Sequence, residues 1–207
     1  MFCRTCRGPA PDGFARCYQC DLAAGQAGEL LADAVEPLGY AVRGGALAQD
    51  LRRYKSDHAG AAESAARLRE MLATFLRDRA NEVWVAAGMP TGPAVAAVVP
   101  TGQGRPGAHP LLGVVRSCVH LPLVGLSVAA NVAHARGVTL GWLRVDGPVD
   151  GKDVLVIDDT WVSGGSAQSA AAALKLAGAR RVAIVVLGRH VNPADPRSAG
   201  FLTTLAG

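Results

Sequence analysis

Three stretches of the chain are apolar without polar interruption: PAVAAVVP at 93–100, VLVI at 154–157 and VAIVVL at 182–187. Short runs of this kind suit strands covered on both faces, and β-branched residues dominate them. Between the second and third runs, Ser166–Leu176 has the length and Ala/Leu content of a helix, with Gly178 placed as its stop. Strand, helix and strand in that order make a βαβ unit with parallel strands. Upstream, Ala46–Ser56 reads as a helix. Ala61–Arg79 reads as a second, with Ala65, Leu68, Leu72, Phe75 and Leu76 at helical spacing. Glu82–Pro90 is a further apolar stretch bounded by Gly and Pro and is expected to be a buried strand. Ser117–Ala135 suits a buried strand and loop. VTLGWLRV at 138–145 alternates before a Gly147–Pro148 turn. The expected class is α/β, a parallel sheet with helices on both faces. The turn-rich tail, 192–207, is expected to pack loosely or fray.

Half of the 207 residues are apolar and only 18% are charged. That composition supports one core of roughly 150 residues plus a small appendage. The net charge of +4 is unevenly distributed. Acids and bases balance over 1–82. From Val83 to Val145 there are four arginines (Arg105, Arg116, Arg136, Arg144), three histidines (His109, His120, His134) and no acid. Such a stretch can favour anionic ligands, and chance in an Ala/Val/Gly-rich core explains it equally well. MFCRTCRG carries no apolar run of the signal-peptide kind. An uncharged apolar stretch, 117–135, is broken by His120, Pro122, Asn131 and His134, so no membrane span or membrane partner is expected. A cytoplasmic location with reduced thiols follows as the expectation.

Four of five cysteines lie in the first twenty residues, as Cys3-x-x-Cys6 and Cys17-x-x-Cys20. Each pair can present two thiolates from one turn, and two such turns close a tetrahedral zinc site. A redox CxxC would follow a strand, which this one does not. The expected organisation is a four-cysteine zinc knuckle over 1–24 and an α/β domain over 25–207. Twenty residues with few apolar side chains cannot fold alone, so structural zinc would supply the folding energy. Arg4, Arg7 and Arg16 allow the knuckle to touch nucleic acid. Cys118 reads as a small buried hydrophobe.

The chemistry concentrates in VLVIDDTWVSGGSAQS, 154–169. Ligands of open α/β sheets bind beyond the carboxyl ends of the strands. Asp158 and Asp159 stand at that end. Ser163-Gly164-Gly165-Ser166 then leads into a helix whose N-terminus offers free N–H groups and a positive dipole end. The loop suits a phosphate, and the carboxylates suit the paired hydroxyls of a ribose about a sugar's width away. Together they describe a ribose 5-phosphate ligand. Two other phosphate motifs are excluded. Gly151-Lys152 is not a P-loop, because no GxxxxGK[ST] surrounds it. Gly102-x-Gly104-x-x-Gly107 lacks the acid twenty residues on, and Pro100 and Pro106 interrupt it.

VLVIDDTWVSGGSAQ resembles the phosphoribosyl pyrophosphate (PRPP) motif of type I phosphoribosyltransferases, as does LKLAGARRVAIVVLGRH downstream. With the four-cysteine start and LRRYKSDHAG, most of the chain resembles the ComF family of bacterial proteins linked to competence and DNA uptake. The resemblance implies a phosphoribosyltransferase-like core. It implies that Asp158 and Asp159 bind ribose hydroxyls and that Val162, Ser163, Gly164, Gly165 and Ser166 surround the 5′-phosphate. Magnesium would accompany PRPP, and a base nitrogen would displace pyrophosphate. Asp158, Asp159, Arg105 and Arg136 would be the catalytic set, the arginines neutralising the leaving group. The residues at Leu187–His190 could border the acceptor. Two departures stand out. Arg105-Pro106-Gly107-Ala108-His109 lacks the Asn-Gln of ComF-like chains, and the flexible-loop region 117–142 is short, leaving His134 and Arg136 as its candidates over the pyrophosphate. The alternative is a non-catalytic zinc-containing module acting in DNA uptake through single-stranded DNA or competence-machinery proteins. Aromatic stacking residues for that role are scarce: Trp84, Trp142 and Trp161.

Overall fold

The computed structural model describes residues 1–57, 59–101, 109–134 and 137–206. Seven strands form one sheet: β1 (Ala34–Pro37), β2 (Tyr40–Val42), β3 (Val95–Val98), β4 (Leu123–Val128), β5 (Leu143–Asp146), β6 (Asp153–Trp161) and β7 (Arg181–Val191). The order is β1-β7-β6-β3-β4-β5, with β2 also on β7. All pairings are parallel except β4 with β5, which closes one edge antiparallel.

The helices are α1 (Tyr18–Ala27), α2 (Ala46–Arg53), α3 (Ala61–Asp78), α4 (Ala80–Ala86), α5 (Pro110–Arg116), α6 (Gly165–Leu176) and α7 (Pro196–Ala206). The two central strands show why both faces must be covered. Along β6 and β7, Val154, Val156, Val182, Ile184 and Val186 enter one core with α6 and the four cysteines. Leu155, Ile157, Ala183, Val185 and Leu187 enter the other, with α2, α3, α4 and α5. Period-two alternation of an all-apolar strand feeds both cores.

The expected α/β architecture, the βαβ unit of β6, α6 and β7, and the two helices before it are present. The second of these runs to Asp78, and the first stops at Arg53, with Lys55 and Ser56 in the turn beyond. Three expectations are corrected. Glu82–Pro90 is not a strand: α4 carries its first half. Ala80, Val83 and Ala87 are buried while Val85 is 62% exposed, a helical rather than alternating pattern. Of the 138–145 stretch only 143–145 is extended, at the start of β5, because Leu140 and Gly141 make a turn with Gly141 at φ +75°. The tail does not fray. It forms α7, whose Phe201 is buried edge-on against both Phe2 and Tyr40 at 5.1 Å. Among the described residues, no helix is long and apolar enough to cross a membrane.

Candidate functional site

β6 does not stop at its acids. Pairing with β7 continues through Thr160 and Trp161, so Asp158 and Asp159 are successive strand residues and point to opposite faces. Asp159 enters the α2 side. Its carboxylate accepts a hydrogen bond from the Tyr54 hydroxyl and pairs with Lys55 Nζ, both just past the C-terminus of α2. Asp159 is buried, and Tyr54 with it. Burial, then the Asp159 charge, pushes the Tyr54 phenol upward, so it stays a donor. Lys55 also lies 5.6 Å from the centre of the Tyr54 ring. Asp158 is half-buried and accepts the Asp159 backbone N–H at 2.9 Å. Burial, then the neighbouring Asp159 charge, pushes its carboxyl up to about 7. Of the two acids, Asp158 is the one open to a ligand, and Asp159 is already satisfied by protein groups.

The loop that follows is shaped by Trp161. The indole is 1% exposed and lies directly beneath Gly164. A Cβ at Gly164 would fall 2.1 Å from the ring, and the residue sits at φ +83° as N-cap of α6. Both facts require glycine. Ser163 Oγ accepts from Gly165 N at 3.3 Å, Ser166 Oγ meets His134 Nε2 at 2.9 Å, and Val162 is 61% exposed. Ser163, Gly164, Gly165 and Ser166 therefore stand together at the N-terminus of α6, with Asp158 at the end of the preceding strand. His134 lies with them, stacked on Trp142. Burial pushes its imidazole pKa down. Arg105 and Arg136 lie outside the described residues, as does the Gly102–Gly107 stretch.

The sequence reading missed three residues. Tyr54 and Lys55 lie in the LRRYKSDHAG segment, but nothing local showed that they reach Asp159. Arg189, in the 187–190 segment that could border an acceptor, is buried beneath the loop, its Nη1 donating to the carbonyls of Trp161 (3.1 Å), Val162 (3.2 Å) and His190 (2.7 Å). Beside it, His190, Asn192, Tyr18 and Ser163 line a cleft of about 880 Å³. Trp142 and Trp161 are both buried and offer no ring for base stacking.

At the front of the chain, Cys3, Cys6, Cys17 and Cys20 are buried with their sulfurs within 4.8 Å of one another. Cys6 and Cys17 Sγ lie 3.8 Å apart. A tetrahedron with metal–sulfur bonds of about 2.3 Å has edges of about 3.8 Å, so the cluster fits zinc. Arg7 adopts φ +56° in the turn after Cys6, and its backbone N–H reaches back to Cys3 O at 3.0 Å.

No family model and no curated protein matches the chain. Solved structures similar to it include the orotate phosphoribosyltransferase of Mycobacterium tuberculosis in complex with inorganic phosphate. It is 18% identical, over 76% of this chain and 80% of that one, with a TM-score of 0.39. A phosphoribosyltransferase from Corynebacterium diphtheriae is 21% identical over 90% and 89%, with a TM-score of 0.37. The phosphoribosylpyrophosphate synthetase of Mycobacterium smegmatis is 22% identical over 63% of this chain, with a TM-score of 0.36, and the chain spans 36% of its length. The functional reading rests on the site's own residues.

Proposed function

We propose that the chain is a ComF-like, phosphoribosyltransferase-type protein that binds PRPP or a ribose 5-phosphate ligand over residues 158–166. One observation carries the reading: a half-buried carboxylate, Asp158, stands near the end of β6, ahead of a serine-glycine loop capping α6, whose tight turn only glycine at 164 permits.

In this reading the first-turn N–H groups of α6 and the hydroxyls of Ser163 and Ser166 hold the 5′-phosphate. Asp158 accepts the ribose hydroxyls once ionised. Asp159 acts indirectly, fixing Lys55 at the mouth of the site. Magnesium suits the single open carboxylate, since it keeps several waters and takes the rest of its ligands from phosphate oxygens; Asp158 would hold it. Bound there, it would neutralise charge on a departing pyrophosphate. His134 and Lys55 stand at the loop and the strand end respectively, where they can meet anionic oxygens of the ligand. Arg105 and Arg136 keep the leaving-group role that the resemblance assigns them. Zinc is proposed as structural.

The test is calorimetric titration of zinc-loaded protein with PRPP, with and without magnesium, against Asp158→Asn. Magnesium-dependent binding that the variant loses supports the reading, and pyrophosphate release with an added base extends it to transfer. Failure of a folded, zinc-loaded protein to bind PRPP overturns it.

A further inference from the structure

The guanidinium of Arg189 lies between the two special features of this chain. On one side its Nη1 holds the carbonyls of Trp161 and Val162, the two residues that enter the phosphate loop. On the other side is the four-cysteine knuckle. A Cβ on Gly8, two residues past Cys6, would sit 2.7 Å from Arg189 Nε and Nη2 and 2.9 Å from Cζ. Glycine there lets the knuckle backbone lie against the guanidinium. The knuckle is itself pinned to the sheet edge nearby: Tyr40 donates to Arg7 O at 2.9 Å, and Phe2 packs on Phe201.

The charge of Arg189 has no carboxylate partner among the described residues, and its Nε is buried without an acceptor. A buried cation needs compensating charge. Four thiolates around one dication would carry a net negative charge, and Gly8, two residues past Cys6, lies against the guanidinium. A loaded knuckle would supply the counter-charge for the guanidinium, which in turn holds the loop entrance.

We propose that Arg189 is a positioning residue through which the metal-loaded knuckle fastens the phosphate loop, so that knuckle integrity and phosphate affinity are coupled. The affinity arm rests on the ribose-phosphate reading above, whereas the fastening does not. Such coupling is reciprocal: a ligand that tightens on the loop also retains the metal.

Gly8→Ala is the informative variant. Gly8 is not in the left-handed region, so alanine is tolerated by the backbone. Its methyl pushes on the flexible end of Arg189 and leaves every cysteine untouched. The full, zinc-loaded chain is compared as wild type, Gly8→Ala, Arg189→Met and the double variant. Zinc content is measured first, then amide hydrogen exchange over 162–167, then affinity for ribose 5-phosphate. Gly8→Ala is expected to keep its zinc while exchange over 162–167 quickens about tenfold, the scale of one charged hydrogen bond lost. In the double variant the Gly8→Ala effect disappears, because the two substitutions act on one contact. In wild type, saturating ribose 5-phosphate slows zinc transfer to a chelator, and in Gly8→Ala this slowing is lost.

Exchange over 162–167 that is unchanged in Gly8→Ala, or additive effects in the double variant, overturns the fastening. Should Arg189→Met fail to fold, the Gly8→Ala arm decides alone. Wild type that does not bind ribose 5-phosphate removes the function proposed above, while the exchange arm still decides whether the knuckle holds the loop. Wild type that binds it with no effect on zinc release overturns the coupling.

Discussion

His134 lays its imidazole on the Trp142 indole, centroids 3.9 Å and planes 12° apart, and from there its Nε2 meets Ser166 Oγ at 2.9 Å. A segment carrying no acid between Glu82 and Asp146 thereby contributes a titratable group to the loop. Burial lowers the pKa of that imidazole, so it is neutral at neutral pH. A phosphate arriving at Ser166 raises it again. Ligand binding near neutral pH should draw in a proton at His134. Calorimetry in buffers of different ionisation enthalpy reads this uptake, and His134→Gln should lower it. An identical proton count in wild type and variant would refute the role.

Tyr54 holds Asp159 from just past the end of α2. Tyr54→Phe leaves one lobe of a buried carboxylate without its donor and should cost about 1–3 kcal/mol, measured by urea unfolding. Because Lys55 stays, the protein should still fold. A loss below about 0.5 kcal/mol, the scale of an ordinary surface substitution, would mean that the hydroxyl contributes nothing to holding the acid.

Asp158 sets a pH dependence. An unfolded aspartate titrates near 3.9, whereas the folded carboxyl is pushed up to about 7 by burial and by Asp159, with Lys55 opposing. Between those values the folded chain holds a proton the unfolded chain lacks. This contribution to stability is therefore complete below about pH 4, falls as pH rises, and is gone above about 7. Asp158→Asn should remove the fall and be more stable than wild type at pH 8 by roughly 1–3 kcal/mol, discounted for partial exposure. The same variant should lose ribose 5-phosphate. Parallel stability–pH curves for the two proteins would rule out the shift.

The knuckle should hold one zinc per chain, counted by elemental analysis. Cys17→Ser should abolish stoichiometric binding. A strong chelator should lower Tm, since metal bound only to the folded state stabilises by mass action. A chain that melts at the same temperature with and without chelator would show the cluster to be structurally dispensable.

The sequence disclosed the central βαβ unit because Val154–Ile157 and Val182–Leu187 are covered on both faces and need no partner to be recognised. It disclosed the four-cysteine cluster for a related reason: the CxxC spacing brings each pair of thiols into one turn. It misread Glu82–Pro90 because a short apolar run has no period to separate helix from strand, and only the exposure of Val85 resolves it. The tail was misread because one residue, Phe201, supplies its anchorage from partners far away in the chain. Asp158 and Asp159 were found as a pair, but their division of labour was not. It depends on β6 continuing past them, and on Tyr54 and Lys55, which lie about a hundred residues earlier.

The path from knuckle to loop also runs against the direction of synthesis. Cys3 to Cys20 emerge first and can capture their metal early. The loop at 163–166 follows much later, and Arg189, whose Nη1 holds the carbonyls that enter it, comes later still. Under the proposed fastening, a nascent chain would hold its cysteine cluster and its loop unconnected until β7 has been made. Completion of the last strand would then be the event that joins them.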